Sequence, residues 1–303
     1  MGMRPSTSQD YQASIRLVIE HLFTRLDGTV SVHDLAEVSG FSRFHFGRIF
    51  SAAMGEGLLE FIRRLRLERA AFQVRTTQDS LAIIGLRAGF ESAEAFARAF
   101  KNAYLVTPSD FRRAQTRLDL RSPNGVHWTP TGWNGEVGLM LKGDKIMDIR
   151  IENAPKFTVI AISHKGPYYE IGQSFRRICG WAGPNRVPFM GSIGIYYDDP
   201  GVTPPEDLRS DACIVVPEGY TLPADADPDI RVDTVGGGLH AITTHKGSYS
   251  GLSDSWAQFL GQAIPAKGKT IAYGPSFEVY VNDCSEVPES ELITDLYQPV
   301  ENS

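Results

Sequence analysis

The chain has 303 residues, enough for two ordinary domains with separate cores. An apolar content of 42% and a charged content of 22% are globular values, and no apolar run reaches the ~18–20 residues of a membrane span, so no membrane partner is expected. The net charge of −6 divides unevenly: residues 1–121 carry 17 Lys+Arg against 13 Asp+Glu, residues 122–303 carry 13 against 23, and the two parts are expected to meet different partners.

The first residues, MGMRPSTSQDYQ, hold no apolar signal core, which points to a cytoplasmic chain. Three cysteines (Cys179, Cys213, Cys284) lie far apart in no metal-ligand spacing, so they read as reduced and non-ligating, and no metal is expected.

From Asp10 to Arg117 apolar residues recur at helical spacing. Ser31, with Asp34 three residues on, opens a short helix that ends before Gly40; Ser42 is the expected cap of the next helix, SRFHFGRIFSAAMG. That helix gathers Phe46, Ile49 and Phe50 on one face and leaves Arg43, His45 and Arg48 elsewhere; His33 and His45 read as structural or surface groups. The stretch LLEFIRRLRLERAAFQVR follows without Gly or Pro. Its length, roughly 27 Å at 1.5 Å per residue, is close to the ~34 Å between successive major-groove faces of B-DNA. Its Arg63, Arg64, Arg66 and Arg69 are expected to be mainly solvated. The serine–glycine–serine order then repeats at Ser80, Gly89 and Ser92. It leads to SAEAFARAFKNAY, which buries Phe96 and Phe100 and exposes Glu94, Arg98 and Lys101.

After residue 117 the segment LDLRSPNGVHWTPTGWNGEVG is rich in Gly, Pro and Asn, and 118–146 is expected to be a loosely ordered linker. Beyond Met147, β-branched runs alternate with turns and two amphipathic stretches, an α+β pattern. It contains a duplication. TVIAISHKGPY returns as LHAITTHKGSY; Ile171, Phe175 and Ile178 match Leu252, Trp256 and Phe259; GIYYD at 194–198 matches EVYVN at 278–282. Each copy reads strand–helix–strand–strand, giving a pseudo-twofold domain with a cleft between the copies. Alternation sets Ile193, Ile195, Phe277 and Val279 on one face, expected to lie under the helices, and Gly194, Tyr196, Glu278 and Tyr280 on the other. One carboxylate among tyrosines fits a cationic or amphipathic ligand. His164 and His245, each before Lys-Gly at a strand end, read as structural or surface groups. No Walker loop, GxSxG elbow or HExxH pattern occurs, so neither an enzyme nor a cofactor site is expected.

The motifs GFSRFHFGRIF, RRLRLERAA and AGFESAEAFARAFKNAYLVTPSDFRR resemble the AraC/XylS family of transcription regulators over about residues 10–115. The resemblance implies base contacts at Phe44, Gly47 and Arg48 in the first recognition helix and at Ala93, Glu94 and Arg98 in the second. Two positions depart from the family: Gly47 brings no side chain, and Leu105 stands where a glycine often ends the last recognition helix. HKGPY, GIYYDDPGVTPPEDLRSDACIVVPEG, HKGSY and PSFEVYVND resemble the GyrI-like effector-binding domain, which implies a small-molecule site centred on Glu278.

The expected fold is therefore multidomain: an all-α double helix-turn-helix domain at 8–117, then an α+β pseudo-twofold GyrI-like domain at 147–303. The candidate DNA-binding residues are Arg43, Phe44, Arg48, Ser92, Glu94, Arg98 and Lys101; the candidate ligand-binding residues are Glu278, Tyr196, Tyr280, Trp256, Tyr168 and Trp181. The expected function is a nucleoid-associated regulator that meets double-stranded promoter DNA, RNA polymerase and a small-molecule effector. The alternative is a GyrI-like hydrolase or drug-sequestering protein that retains a DNA-binding module.

Overall fold

The structure is a computed structural model that describes residues 7–26, 28, 30–41, 45–114, 120–135 and 147–302. Its helices begin with α1 (Ser8–Thr24), opened by a capping box between Thr7 and Asp10, and α2 (Val32–Ser39), whose cap Ser31 accepts from the Asp34 N–H. Gly40 then takes φ 72°, the left-handed turn the sequence asks for. The next helix, α3 (Phe46–Met54), starts later than expected. Ser42 lies outside the described residues, and the residue before the helix, His45, makes no side-chain cap.

The long helix α4 (Leu58–Thr76) joins the two units and is followed by α5 (Leu81–Arg87), α6 (Ala93–Tyr104) and α7 (Pro108–Ala114). Ser80 and Ser92 cap α5 and α6 through their hydroxyls. Each unit has its own core, and both use α4. Ile19, Phe46, Phe50, Phe61 and Leu65 belong to the first; Val74, Ile84, Phe96, Phe100 and Phe111 belong to the second.

The arginines of α4 are not simply solvated, as expected from sequence. Arg64 donates to Glu56, to Glu68 at 2.9 Å and to the Val126 carbonyl at 2.8 Å, and Arg69 donates to the Arg87 carbonyl. The segment read as a loose linker holds a hairpin within its described part, β1 (His127–Thr129) and β2 (Gly132–Asn134). Glu68 on α4 accepts from the Trp128 N–H at 2.8 Å and contacts His127 Nδ1 at 3.1 Å. A Gly- and Asn-rich segment signals turns, and turns serve a docked hairpin as well as a linker.

Leu105 ends α6 at φ 60° and is 86% exposed. A leucine there bears left-handed strain that a glycine avoids. Leu105→Gly is expected to raise stability by about 1 kcal/mol, measured as an upward shift in thermal midpoint; a lowered midpoint would contradict it.

The second part is one large sheet built from β3 (Arg150–Asn153), β4 (Lys156–Lys165), β5 (Gly191–Tyr196), β6 (Arg209–Val216), β7 (Ile230–Gly236), β8 (Leu239–Lys246), β9 (Lys269–Ile271), β10 (Ser276–Tyr280) and β11 (Ile293–Asn302). Its strand order, β3-β8-β11-β10-β5-β6-β4-β7, is a palindrome under the duplication, with β9 added beside β11. The matching helices are α8 (Gly172–Ala182) and α9 (Leu252–Gln258); α9 runs on through a π-helical stretch, Phe259–Ala263, into α10 (Ile264–Ala266). At the centre β5 pairs antiparallel with β10, and Gly194 faces Glu278 directly. The pseudo-twofold axis passes between these two residues.

The expected assignment of the sheet faces is reversed. Ile193, Ile195 and Phe277 form a cluster with Val159, Cys213 and Ile242, and among the described residues that cluster includes none from a helix. The sheet instead curls on that side, bringing Phe157 of β4 to 6.4 Å from Phe277 of β10, ring to ring. Residues of α8 pack with Tyr196, Ile160 and Ile214, on the face of Glu278. A strand's alternation separates two faces but does not say which one a helix covers.

Candidate functional site

The site grows from the axis pair. Gly194 is required by space: a Cβ there would lie 2.8 Å from the Tyr280 hydroxyl and 2.9 Å from that of Tyr196. The empty position lets both hydroxyls converge on Glu278, which is 4% exposed. Tyr196 and Tyr280 reach Glu278 Oε2 at 3.0 and 2.9 Å, and the Trp256 Nε1–H donates to Oε1 at 2.7 Å. The two hydroxyls also lie 2.8 Å apart. Two phenolic protons serve these three contacts, so with the carboxyl ionised one contact is left without a proton. Burial pushes the Glu278 carboxyl upward from its ordinary range, against these hydrogen bonds and the charge of Arg48. Burial first, then the Glu278 charge, raises the Tyr196 hydroxyl.

Around this centre stand aromatic edges. Tyr168 meets Tyr196 at 4.8 Å, while Phe175 and Tyr249 meet Tyr280 at 5.6 and 5.5 Å. Glu278, Tyr196, Tyr280, Trp256 and Tyr168 are thus brought together. Trp181 packs in the same apolar cluster as Tyr196, Tyr168 and Phe175, beside Ile178, Val187 and Leu222. Phe175 and Tyr249 were missed by sequence reasoning, although their places on the duplicated helical stretches were a usable signal. His164 and His245 are structural, as expected: Nε2 of each contacts a loop carbonyl, Pro167 at 3.2 Å and Ser248 at 3.0 Å.

The expected DNA-binding residues separate into two environments. Ser92, Glu94, Arg98 and Lys101 are exposed along α6. Arg43 and Phe44 lie outside the described residues. Arg48 is turned into the second domain. Its backbone N–H donates to Asp199 Oδ2 at 2.8 Å, and its guanidinium sits 5.3 Å from the Trp256 ring centroid, on the indole that holds Glu278. The guanidinium also reaches the Asp198 carbonyl at 3.5 Å.

The face of α3 that carries Gly47, Ile49 and Ala52 shares this environment. Ile49 belongs to one apolar cluster with Trp256, Phe259, Leu260 and Ile264, and a Cβ on Gly261 of the π-helical stretch would lie 2.5 Å from the Ala52 Cβ. Gly47 is equally constrained, since a Cβ would lie 2.6 Å from Val202 and 2.9 Å from both Asp199 carboxylate oxygens. Asp199 accepts from the Gly47, Arg48 and Gly201 N–H groups, so it supplies the α3 cap that His45 does not. Burial raises the Asp199 carboxyl, and the charge of Arg48 and these N–H groups oppose it.

His45 is 2% exposed at the same boundary, with Nε2 3.4 Å from Ser276 Oγ. Burial pushes its imidazole from 6.5 down to about 3, with a further push from Arg48. A base that stays neutral when folded costs stability wherever the unfolded chain takes up its proton. Stability contributed by His45 is therefore present above pH 6.5 and lost progressively as the pH falls from there towards about 3. Thermal midpoints are expected to fall on acidification below pH 6.5, with a flatter profile in His45→Gln; parallel profiles would contradict this.

Among the described residues no helix is long and apolar enough to cross a membrane, and no cluster of metal-binding side chains occurs. A family model described as the GyrI-like small molecule binding domain matches residues 147–301, and a helix-turn-helix domain model matches residues 35–114. A DNA gyrase inhibitor of Serratia proteamaculans is 31% identical over 155 residues, 51% of this chain and 98% of the relative. The EcmrR–DNA complex has a TM-score of 0.44 at 14% identity, covering 52% of this chain and 59% of the other. An AraC-type regulator from Chromobacterium violaceum is 26% identical with a TM-score of 0.33, covering 35% and 95%. The chain belongs to the GyrI-like family, with an AraC-type helix-turn-helix DNA-binding domain preceding its small-molecule-binding domain.

Proposed function

We propose that the chain is a one-component transcription regulator that binds promoter DNA and RNA polymerase and senses a small cationic or amphipathic effector. The observation that carries the reading is Glu278: a buried carboxylate under Trp256, Tyr196 and Tyr280, with a cation, Arg48, already stacked on the indole. Such a site binds positive charge through the carboxylate and the ring faces together. The exposed Arg98 on α6 offers the bidentate donor fork that reads guanine O6 and N7.

Selection of duplexes from a random pool by the full-length chain tests the DNA half. One sequence motif is expected. Arg98→Ala should relax it at one position, at a cost of about 1–3 kcal/mol at constant salt. Retention without sequence preference, or an unchanged motif in the variant, would contradict the assignment.

A further inference from the structure

Three features of α3 lack a reason in DNA reading alone. Its first turn carries a glycine, its N-terminus lacks a cap of its own, and its arginine points away from solvent. All three are met by the second domain. Gly47 lets Val202 and Asp199 approach to distances no side chain would permit. Asp199 stands at the helix N-terminus, where the backbone N–H groups also suit a DNA phosphate. Arg48 lies over Trp256 and adds its charge to the field at Glu278. The face by which α3 would enter a major groove is therefore the face buried in the cleft.

We propose that Arg48 is an internal ligand of the Glu278–Trp256 cleft, that its docking withholds the first recognition helix from DNA, and that the effector is a planar cation of the guanidinium or amidinium class that displaces it. This rests on the proposed reading of Glu278 as a cation anchor. A linkage between cleft and helix is built in. The Tyr168 hydroxyl, edge-on to Tyr196, donates to the Asp198 carbonyl at 2.7 Å and accepts from the Asp198 N–H at 2.9 Å. Asp198 is in turn clamped by Arg209 at 2.9 and 2.8 Å, and the next residue is the cap of α3. A guest that moves Tyr168 moves the cap. The exposed second recognition helix remains free throughout, so the docked chain can grip DNA with one unit and the released chain with two.

The test uses the full-length chain and benzamidinium chloride as the planar-cation probe, titrated by calorimetry. An internal ligand lowers the affinity of an added one by the fraction of chains in which the cleft is open. Arg48→Ala should bind benzamidinium about tenfold more tightly than the unaltered chain. Gly261→Val, which leaves Arg48, Glu278 and Trp256 in place but wedges α3 away at Ala52, should shift affinity the same way and carries the test if Arg48→Ala does not fold. Equal affinity in the unaltered chain and the folded variants would overturn the internal-ligand proposal while leaving Glu278 as a cation anchor. No binding by any of them would overturn that anchor and the proposal with it.

Discussion

Glu278→Gln is expected to weaken benzamidinium binding about a hundredfold in the Arg48→Ala background, where the cleft is unoccupied by the chain's own cation. The carboxylate is the cleft's buried negative charge at the axis, and its amide replacement leaves a desolvated cation facing a neutral group, a loss of roughly 3 kcal/mol. The amide can turn its carbonyl to the indole N–H and its NH2 to the two tyrosine hydroxyls, which then accept, so the pairing survives while the charge is lost. Thermal stability should hold, because a neutral side chain removes the burial penalty that raises the Glu278 carboxyl. Equal affinity in the two chains would remove Glu278 as the anchor.

Arg64→Ala should produce the largest loss of stability. The guanidinium lies between Glu56 and Glu68, whose side chains are 9% and 2% exposed, and it also satisfies the Val126 carbonyl. Its removal leaves two carboxylates in one buried site with Asn124, His127 and the Trp128 N–H as their remaining partners. Breaking a buried pair by deleting one partner costs about 3–5 kcal/mol. The hairpin β1–β2 should detach from α4 at the same time, which protease cutting between residues 120 and 135 would detect. An unchanged thermal midpoint would show that these contacts contribute nothing.

Much of this architecture was legible in the residues. Ser31, Ser80 and Ser92 marked true helix caps, and the duplication located the axis because Gly194 and Glu278 held equivalent places. The same alignment set Tyr196 and Tyr280 on the face of the carboxylate, whereas Trp256 was named for the site although its helix was expected over the opposite face. What stayed hidden was long-range. Helix periodicity separates a buried face from a free one but does not say that the free face of α3 meets a second domain. Gly47 read as a gap in a DNA-reading surface; in three dimensions it is a close approach to Asp199 and Val202. Arg48 read as a base contact, and its partner Asp199 lies far along the chain. The Asp198–Asp199 pair lies within a motif that resembles the GyrI-like domain, but nothing local in it signals a cap for a helix of the first domain. Arg64 looked like one more cation on a helix because, apart from Glu68 one turn on, its partners Glu56 and Val126 lie outside the periodic pattern.

The coupling of effector to DNA is tested most directly by one titration. A duplex recovered by selection is bound by the full-length chain at a single salt concentration, with and without saturating benzamidinium. Release of α3 should tighten binding about tenfold and steepen its salt dependence as the second unit adds phosphate contacts. Identical affinity and salt slope in both titrations would contradict a sensor that works by freeing its own recognition helix.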